Sequence, residues 1–270
     1  MTTTTNPALE VRDLAKAFGG VKAVDGVTFS LREQEILALI GPNGAGKSTC
    51  FNMLNGQLRP DSGSIRLFGE EILGLPPRKV WRMGVGRTFQ ITATFTSMTV
   101  IENVQMALIS HHRRLRAMVP YAGGLYKDEA YDLLELVGME DQSGRACGML
   151  AYGDLKRLEL AIALANDPRV LLMDEPAAGM APKERVQLME LVAHVVQTRG
   201  VSVLFTEHDM DVVFAHADRI MVLNRGRLIV EGTPTEVRNN ADVQAVYLGS
   251  GAVYGNEQAA DTAPRAEAGE

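Results

Sequence analysis

The apolar run Ile36–Ile40 passes without a break into the glycine-rich stretch GPNGAGKST, residues Gly41–Thr49, and a pattern of helical spacing begins at its end. Strand, glycine loop and helix in that order leave few folds open. Glycines let a backbone curl until several N–H groups face one point. The positive end of the following helix faces the same point, so the unit is suited to holding a phosphate. The stretch fits G-x-x-x-x-G-K-[ST], in which Lys47 supplies a point charge to the β- and γ-phosphates, the Ser48 hydroxyl can ligate Mg²⁺, and Thr49 lies near the α-phosphate. Gly41, Pro42, Asn43, Gly44, Ala45, Gly46, Lys47, Ser48 and Thr49 are therefore the expected nucleotide-binding residues.

What flanks this unit sets the architecture. Short β-like runs (EILALI, RVLLMD, VSVLFTE, RIMVLNRGRLIVEG) alternate with helical patterns (KSTCFNMLNGQL, DLKRLELAIALAN, PKERVQLMELVAHVVQTRG), and such alternation predicts an α/β fold with a parallel sheet. Residues 91–149 read as mainly helix, an insertion or subdomain. Residues 1–7 are expected to be a flexible N-terminus, and 251–270, a mixture of Gly, Ala and acidic residues without apolar periodicity, a disordered tail. A net charge of −6 argues against a nucleic-acid partner. The two cysteines, Cys50 and Cys147, have no metal-like spacing and are read as reduced thiols. No apolar run approaches the roughly 18 residues that span a bilayer, so the chain is expected to be neither exported nor embedded by itself.

Two more strand-like runs end in polar residues. RVLLMDEP delivers Asp174 and Glu175, and VSVLFTEHDM delivers His208. The carboxyl ends of parallel strands open on the ligand crevice, so these side chains are expected to face the phosphates. Asp174 suits Mg²⁺, directly or through water. Glu175 suits the orientation and deprotonation of a water attacking the γ-phosphate, and a ring N–H of His208 is placed to hold that phosphate or water. Gln90, in GRTFQ, is read as closing the central strand group with an amide that reaches Mg²⁺ and water at once; the other four histidines are read as structural. In LAYGD, Leu150–Asp154, a glycine leads into a helix with no nucleophile or metal ligand beside it, which points to a second anion site made of backbone N–H groups. Along that helix Leu155, Leu158, Ile162 and Ala165 share one side, and Lys156 and Arg157 are expected to be exposed.

In this order the pieces resemble the ATP-binding cassette (ABC) transporter ATPases over nearly all of residues 9–249. GPNGAGKST resembles the family's Walker A loop, Gln90 its Q-loop glutamine, LAYGD its signature motif, RVLLMDE its Walker B strand and His208 its switch histidine. Phe18, in AFGG, falls where the family carries an aromatic that stacks on adenine. The resemblance implies an α/β P-loop NTPase: a RecA-like core with a mainly parallel sheet, an N-terminal antiparallel β-subdomain and a helical signature subdomain. The cassette would span 8–250, with core 8–90 and 158–250 and helical subdomain 91–157. ATP and Mg²⁺ are the implied cofactors, with Glu175, His208 and Gln90 catalytic and Ser48, Gln90 and Asp174 around the metal. Ala151, Tyr152, Gly153 and Asp154 would meet ATP held by a second cassette, this chain or a paralogue.

The same resemblance implies integral membrane permease subunits, contacted near Gln90 and TATFTSM, and indirectly a periplasmic or extracellular solute-binding protein. The chain would then sit peripherally on the cytoplasmic face of the inner membrane. Two positions depart from the family pattern: Ala151 replaces the signature serine, and Ala181, in AAGMAP, replaces an aspartate that links the two sites. GRTFQ, MTVIENV, LAYGD, DEPAAGM and EGTPTEVRNNADVQAVYLG most resemble the ATPases of branched-chain amino acid importers, with urea or amide import and lipopolysaccharide export as related alternatives. A soluble ABC protein would call for a long coiled coil or two cassettes in one chain, and a GTPase for an N-K-x-D motif; the sequence has neither.

Overall fold

The computed structural model describes residues 7–88, 94–112 and 124–248. Two sheets organise it. Strands β1 (Leu9–Phe18), β2 (Val21–Leu31), β4 (Ser62–Leu67) and β5 (Glu70–Glu71) form an antiparallel sheet in the order β2-β1-β4-β5. The larger sheet contains β3 (Ile36–Ile40), β6 (Val85–Thr88), β7 (Val170–Asp174), β8 (Ser202–Thr206), β9 (Arg219–Asn224) and β10 (Arg227–Gly232), ordered β10-β9-β3-β8-β7-β6. All of its pairings are parallel except β9 with β10.

The sequence dictates this layering. Every residue of β3 and of β8 is buried, as expected of central strands covered on both faces, which read as continuous apolar runs. Because side chains alternate across a strand, β3 feeds two cores. Leu37 and Leu39 join Phe51, Leu172 and Leu204 under the antiparallel sheet. Ala38 and Ile40 join Met173, Phe205 and the helices on the other face. Phe51 and Phe205 are fully buried, each worth about 1.5–3 kcal/mol.

Helices α1 (Lys47–Leu54), α2 (Pro77–Arg82), α3 (Val100–His111), α4 (Lys127–Leu136), α5 (Tyr152–Leu164), α6 (Pro182–Arg199), α7 (Met210–His216), α8 (Pro234–Arg238) and α9 (Ala241–Leu248) complete the described chain. Among the described residues between β6 and β7 lie helices, short turns and one isolated bridge, Thr99 with Ala146. The start of α3 is fixed by a capping box in which Thr99 and Glu102 each bond the other's backbone N–H. α5 runs across the expected subdomain boundary at 157/158.

Three readings are corrected. RIMVLNRGRLIVEG is a hairpin, β9 and β10, turned by Arg225 (φ 48°) and Gly226 (φ 79°), the pair of positive φ values that a two-residue turn needs. The strand that precedes Gln90, β6, is an edge strand and not a central one; Gln90 itself lies outside the described residues. Lys156 is only 5% exposed, because its ammonium pairs at 2.9 Å with the buried carboxylate of Glu159 one turn on, which lets a charge occupy the inner face of α5.

Candidate nucleotide site

Between β3 and α1 the chain turns through Gly41–Gly46, and two of its glycines are required by close approach. A Cβ at Gly41 would lie 2.1 Å from the Leu223 carbonyl oxygen, and one at Gly46 (φ 107°) 2.2 Å from that of Ala23. The loop is thus pressed against β9 and β2 by backbone alone. Gly226 packs against the same Ala23 oxygen and donates its N–H to the Ala45 carbonyl at 2.9 Å, fixing the loop from the hairpin side.

Lys47, the first residue of α1, is 8% exposed. Its Nζ donates to the carbonyls of Gly41 (2.6 Å) and Pro42 (3.2 Å), which holds the ammonium at the mouth of the cradle. Burial pulls its pKa below the usual lysine value, against the opposing charges of Glu175 and Asp174. Those two carboxylates stand at the end of β7, as the sequence predicts. Asp174 accepts from the Thr206 hydroxyl at 2.8 Å and from Arg87 of β6 at 3.2 Å, so three adjacent strands fix its orientation. Arg87 also donates to Asn52 and Gln57.

Glu175 has left-handed backbone (φ 50°), unusual for a residue with a side chain. Its N–H bonds the Thr206 carbonyl and hydroxyl at 3.1 and 3.2 Å. This turns the side chain toward His208, whose Nε2 lies 2.8 Å from Glu175 Oε1. A carboxylate at the end of β7 held by an imidazole after β8, with a lysine and a glycine cradle at the end of β3 beyond it, can orient a water for attack on a phosphate.

The LAYGD turn is built differently. α5 begins at Tyr152 with Ala151 as N-cap, and no side chain caps it. Gly153 therefore lies within the first helical turn and not ahead of it, as the sequence reading had it. It is buried against α6, where a Cβ would meet the Glu184 carboxylate at 3.2 Å. The Tyr152 hydroxyl turns back to donate to the Ala178 carbonyl at 3.1 Å, and Asp154 accepts from Gln142 at 3.1 Å. Backbone, not side chains, is what this turn offers an anion.

Comparison with known proteins decides what the arrangement belongs to. The family model described as "ABC transporter" matches residues 24–178, and that described as "Branched-chain amino acid ATP-binding cassette transporter" matches 227–253. The chain belongs to the ABC transporter family. It is 43% identical over 255 residues to the high-affinity branched-chain amino acid transport ATP-binding protein BraF of Pseudomonas aeruginosa, and 44% identical over 255 residues to LivG of Salmonella typhimurium. Each match takes in 90% of this chain and 98% of the relative. Among solved structures, the ADP conformation of MJ1267, an ATP-binding cassette of an ABC transporter, superposes with a TM-score of 0.82 at 30% identity, covering 90% of this chain and 99% of that one. The P-loop NTPase fold is thereby shown, and the chain is a nucleotide-binding ATPase of the ABC type.

As an ABC cassette, the chain places its predicted residues unevenly. Walker A, Asp174, Glu175 and His208 converge at the ends of β3, β7 and β8. Phe18, at the end of β1, is half exposed beside Lys16, available as a stacking platform. Cys50 is a free thiol fully buried in α1 behind Walker A, and burial pushes its pKa up to about 12. An open cleft of about 490 Å³ separates the outer side of the loop, Asn43 and Gly44, from Arg225 and α9. Sequence reasoning assigned no role to Arg87, Thr206, Glu207 or Gly226, which orient the predicted residues. Among the described residues there is no cluster of metal-binding side chains and no helix long and apolar enough to cross a membrane.

Proposed function

We propose that this cassette energises the import of branched-chain amino acids or closely related small polar solutes. It would work as one half of an ATPase dimer seated on permease subunits at the cytoplasmic face of the membrane, with a solute-binding protein delivering the solute. The observation that carries the catalytic part is the Glu175–His208 contact at the strand ends beside Lys47. The solute class is supported by the transport role that the relatives' names carry and by the C-terminal match over 227–253.

In this reading Lys47 and the loop N–H groups neutralise the β- and γ-phosphates, and Phe18 stacks on the adenine. Ser48 and Asp174 form an all-oxygen donor set that fits Mg²⁺; because Asp174 already accepts from Thr206 and Arg87, its contact through a water is favoured. When bound, the metal would supply charge neutralisation to the phosphates. By the family resemblance, Gln90 would be a further ligand of the metal. Glu175 takes the proton of the attacking water, while His208, as the Nε2–H tautomer, donates to Oε1 and keeps the carboxylate aimed. The uncapped first turn of α5, from Ala151 to Asp154, closes over the γ-phosphate of the partner cassette.

Glu175→Gln is the direct test. Hydrolysis by the reconstituted complex should fall at least about 100-fold while ATP affinity is retained, and uptake of labelled leucine into vesicles should stop. Near-normal hydrolysis by that variant would exclude Glu175 as the base. ATP-dependent uptake of other solutes, with none of leucine, would overturn the assigned solute.

A further inference from the structure

The loop after β7, residues 175–181, carries the alanine that breaks the family pattern, yet the structure ties it firmly within its own chain. Ala177 donates its N–H to Glu207 Oε1 at 2.9 Å, and the other oxygen of the same carboxylate accepts the N–H of His208 at 2.9 Å. Glu207 is 3% exposed. A buried carboxylate that takes one N–H from its own neighbour and one from a loop 30 residues away ties that loop to the end of β8: the loop cannot shift without leaving one oxygen of a charged acceptor unpaired. One residue further along, the Ala178 carbonyl accepts from the Tyr152 hydroxyl, and Gly179 lies under the Tyr152 ring, where a Cβ would stand 3.4 Å from the ring edge. Gly179 has φ 78°, so the turn that seats the ring is one that favours glycine.

We propose that Tyr152 and Glu207 are positioning residues of one relay, which links the first turn of the signature helix through Ala178 and Ala177 to the Glu175–His208 pair. The connections are continuous: Tyr152 to Ala178, Ala177 to Glu207, Glu207 to the backbone of His208, and His208 Nε2 to Glu175 Oε1. The relay gives the chain an internal route from signature turn to catalytic carboxylate where Ala181 supplies no carboxylate of its own. It rests on the catalytic reading above, since it has a purpose only if Glu175 is the base.

The test is steady-state hydrolysis by the full complex. Glu207→Gln keeps the shape but offers one N–H an NH₂ group in place of an acceptor, so kcat should fall about 10-fold with KM for ATP within about twofold. Tyr152→Phe removes only the hydroxyl, and kcat should fall by about threefold with KM unchanged. Because both act through one loop, adding Tyr152→Phe to Glu207→Gln should change kcat by less than about twofold. A combined loss equal to the product of the single losses, or a matched rise in KM, would overturn the relay. Should Glu207→Gln fail to fold, Tyr152→Phe decides alone, and a wild-type kcat there overturns the proposal. A Glu175→Gln control separates the two levels. If that control is inactive while both positioning variants behave as wild type, only the relay fails; if that control is active, the catalytic reading falls and the relay with it.

Discussion

The two anion-directed turns of this cassette, Walker A and LAYGD, follow different physical rules. Walker A is finished within the chain: its glycines touch carbonyl oxygens of β9 and β2, and Lys47 is buried and braced. The LAYGD turn has no cap and no cation aimed at a ligand; Lys156 in its helix is spent on Glu159. Its glycine meets the Glu184 carboxylate instead of backbone. On the proposed dimer reading, the first turn can be tested in the isolated chain and the second only in an assembly.

The largest effect should come from Gly46→Ala. Its Cβ has backbone to displace and its φ is one that alanine rarely adopts, so about 3 kcal/mol of stability should be lost in urea denaturation, together with nucleotide binding. If the variant is as stable as wild type, the contrast between the two turns is gone. Gly153→Trp should leave ATP affinity of the isolated chain unchanged, while hydrolysis by the assembled complex drops about 100-fold; equal damage to both would remove the role in trans. Thr206→Val deletes the hydroxyl that orients Asp174 and bonds the N–H of Glu175. A loss of about 1.5–3 kcal/mol is expected in the same denaturation series.

The smallest effect concerns pH. Burial lowers the pKa of His216, against the opposing charge of Glu190, so the fold favours the neutral ring. Above the unfolded value of about 6.5 both states are neutral and nothing is lost. As pH falls below it the unfolded chain takes up the proton more readily, and stability declines. A His216→Gln variant should show a flatter stability profile between pH 7 and 5 than wild type, measured by thermal melts.

The residues legible in the sequence are those whose chemistry and position coincide. Asp174, Glu175 and His208 each end an apolar run, so strand geometry alone sends them to one crevice. Lys47 and its glycines carry a spacing that few other purposes would select. Arg87 and Glu207 were invisible because their partners, Asp174 at one remove and Ala177 at another, are far away in sequence. Lys156 was misread because helical spacing reports which side of α5 a residue occupies but not that Glu159 waits there to neutralise it. The hairpin in RIMVLNRGRLIVEG was hidden by its Arg-Gly turn, since arginine at positive φ is not an ordinary turn signal.

The carbonyl of Ala23 is touched from two sides, by Gly46 at the end of the phosphate loop and by Gly226 in the hairpin turn, and the N–H of Asp25 returns to the Gly226 carbonyl at 2.8 Å. A single peptide of β2 is thus a shared bearing for three segments. A displacement of this part of β2 would therefore press on the end of the phosphate loop and on the hairpin turn together, through backbone alone.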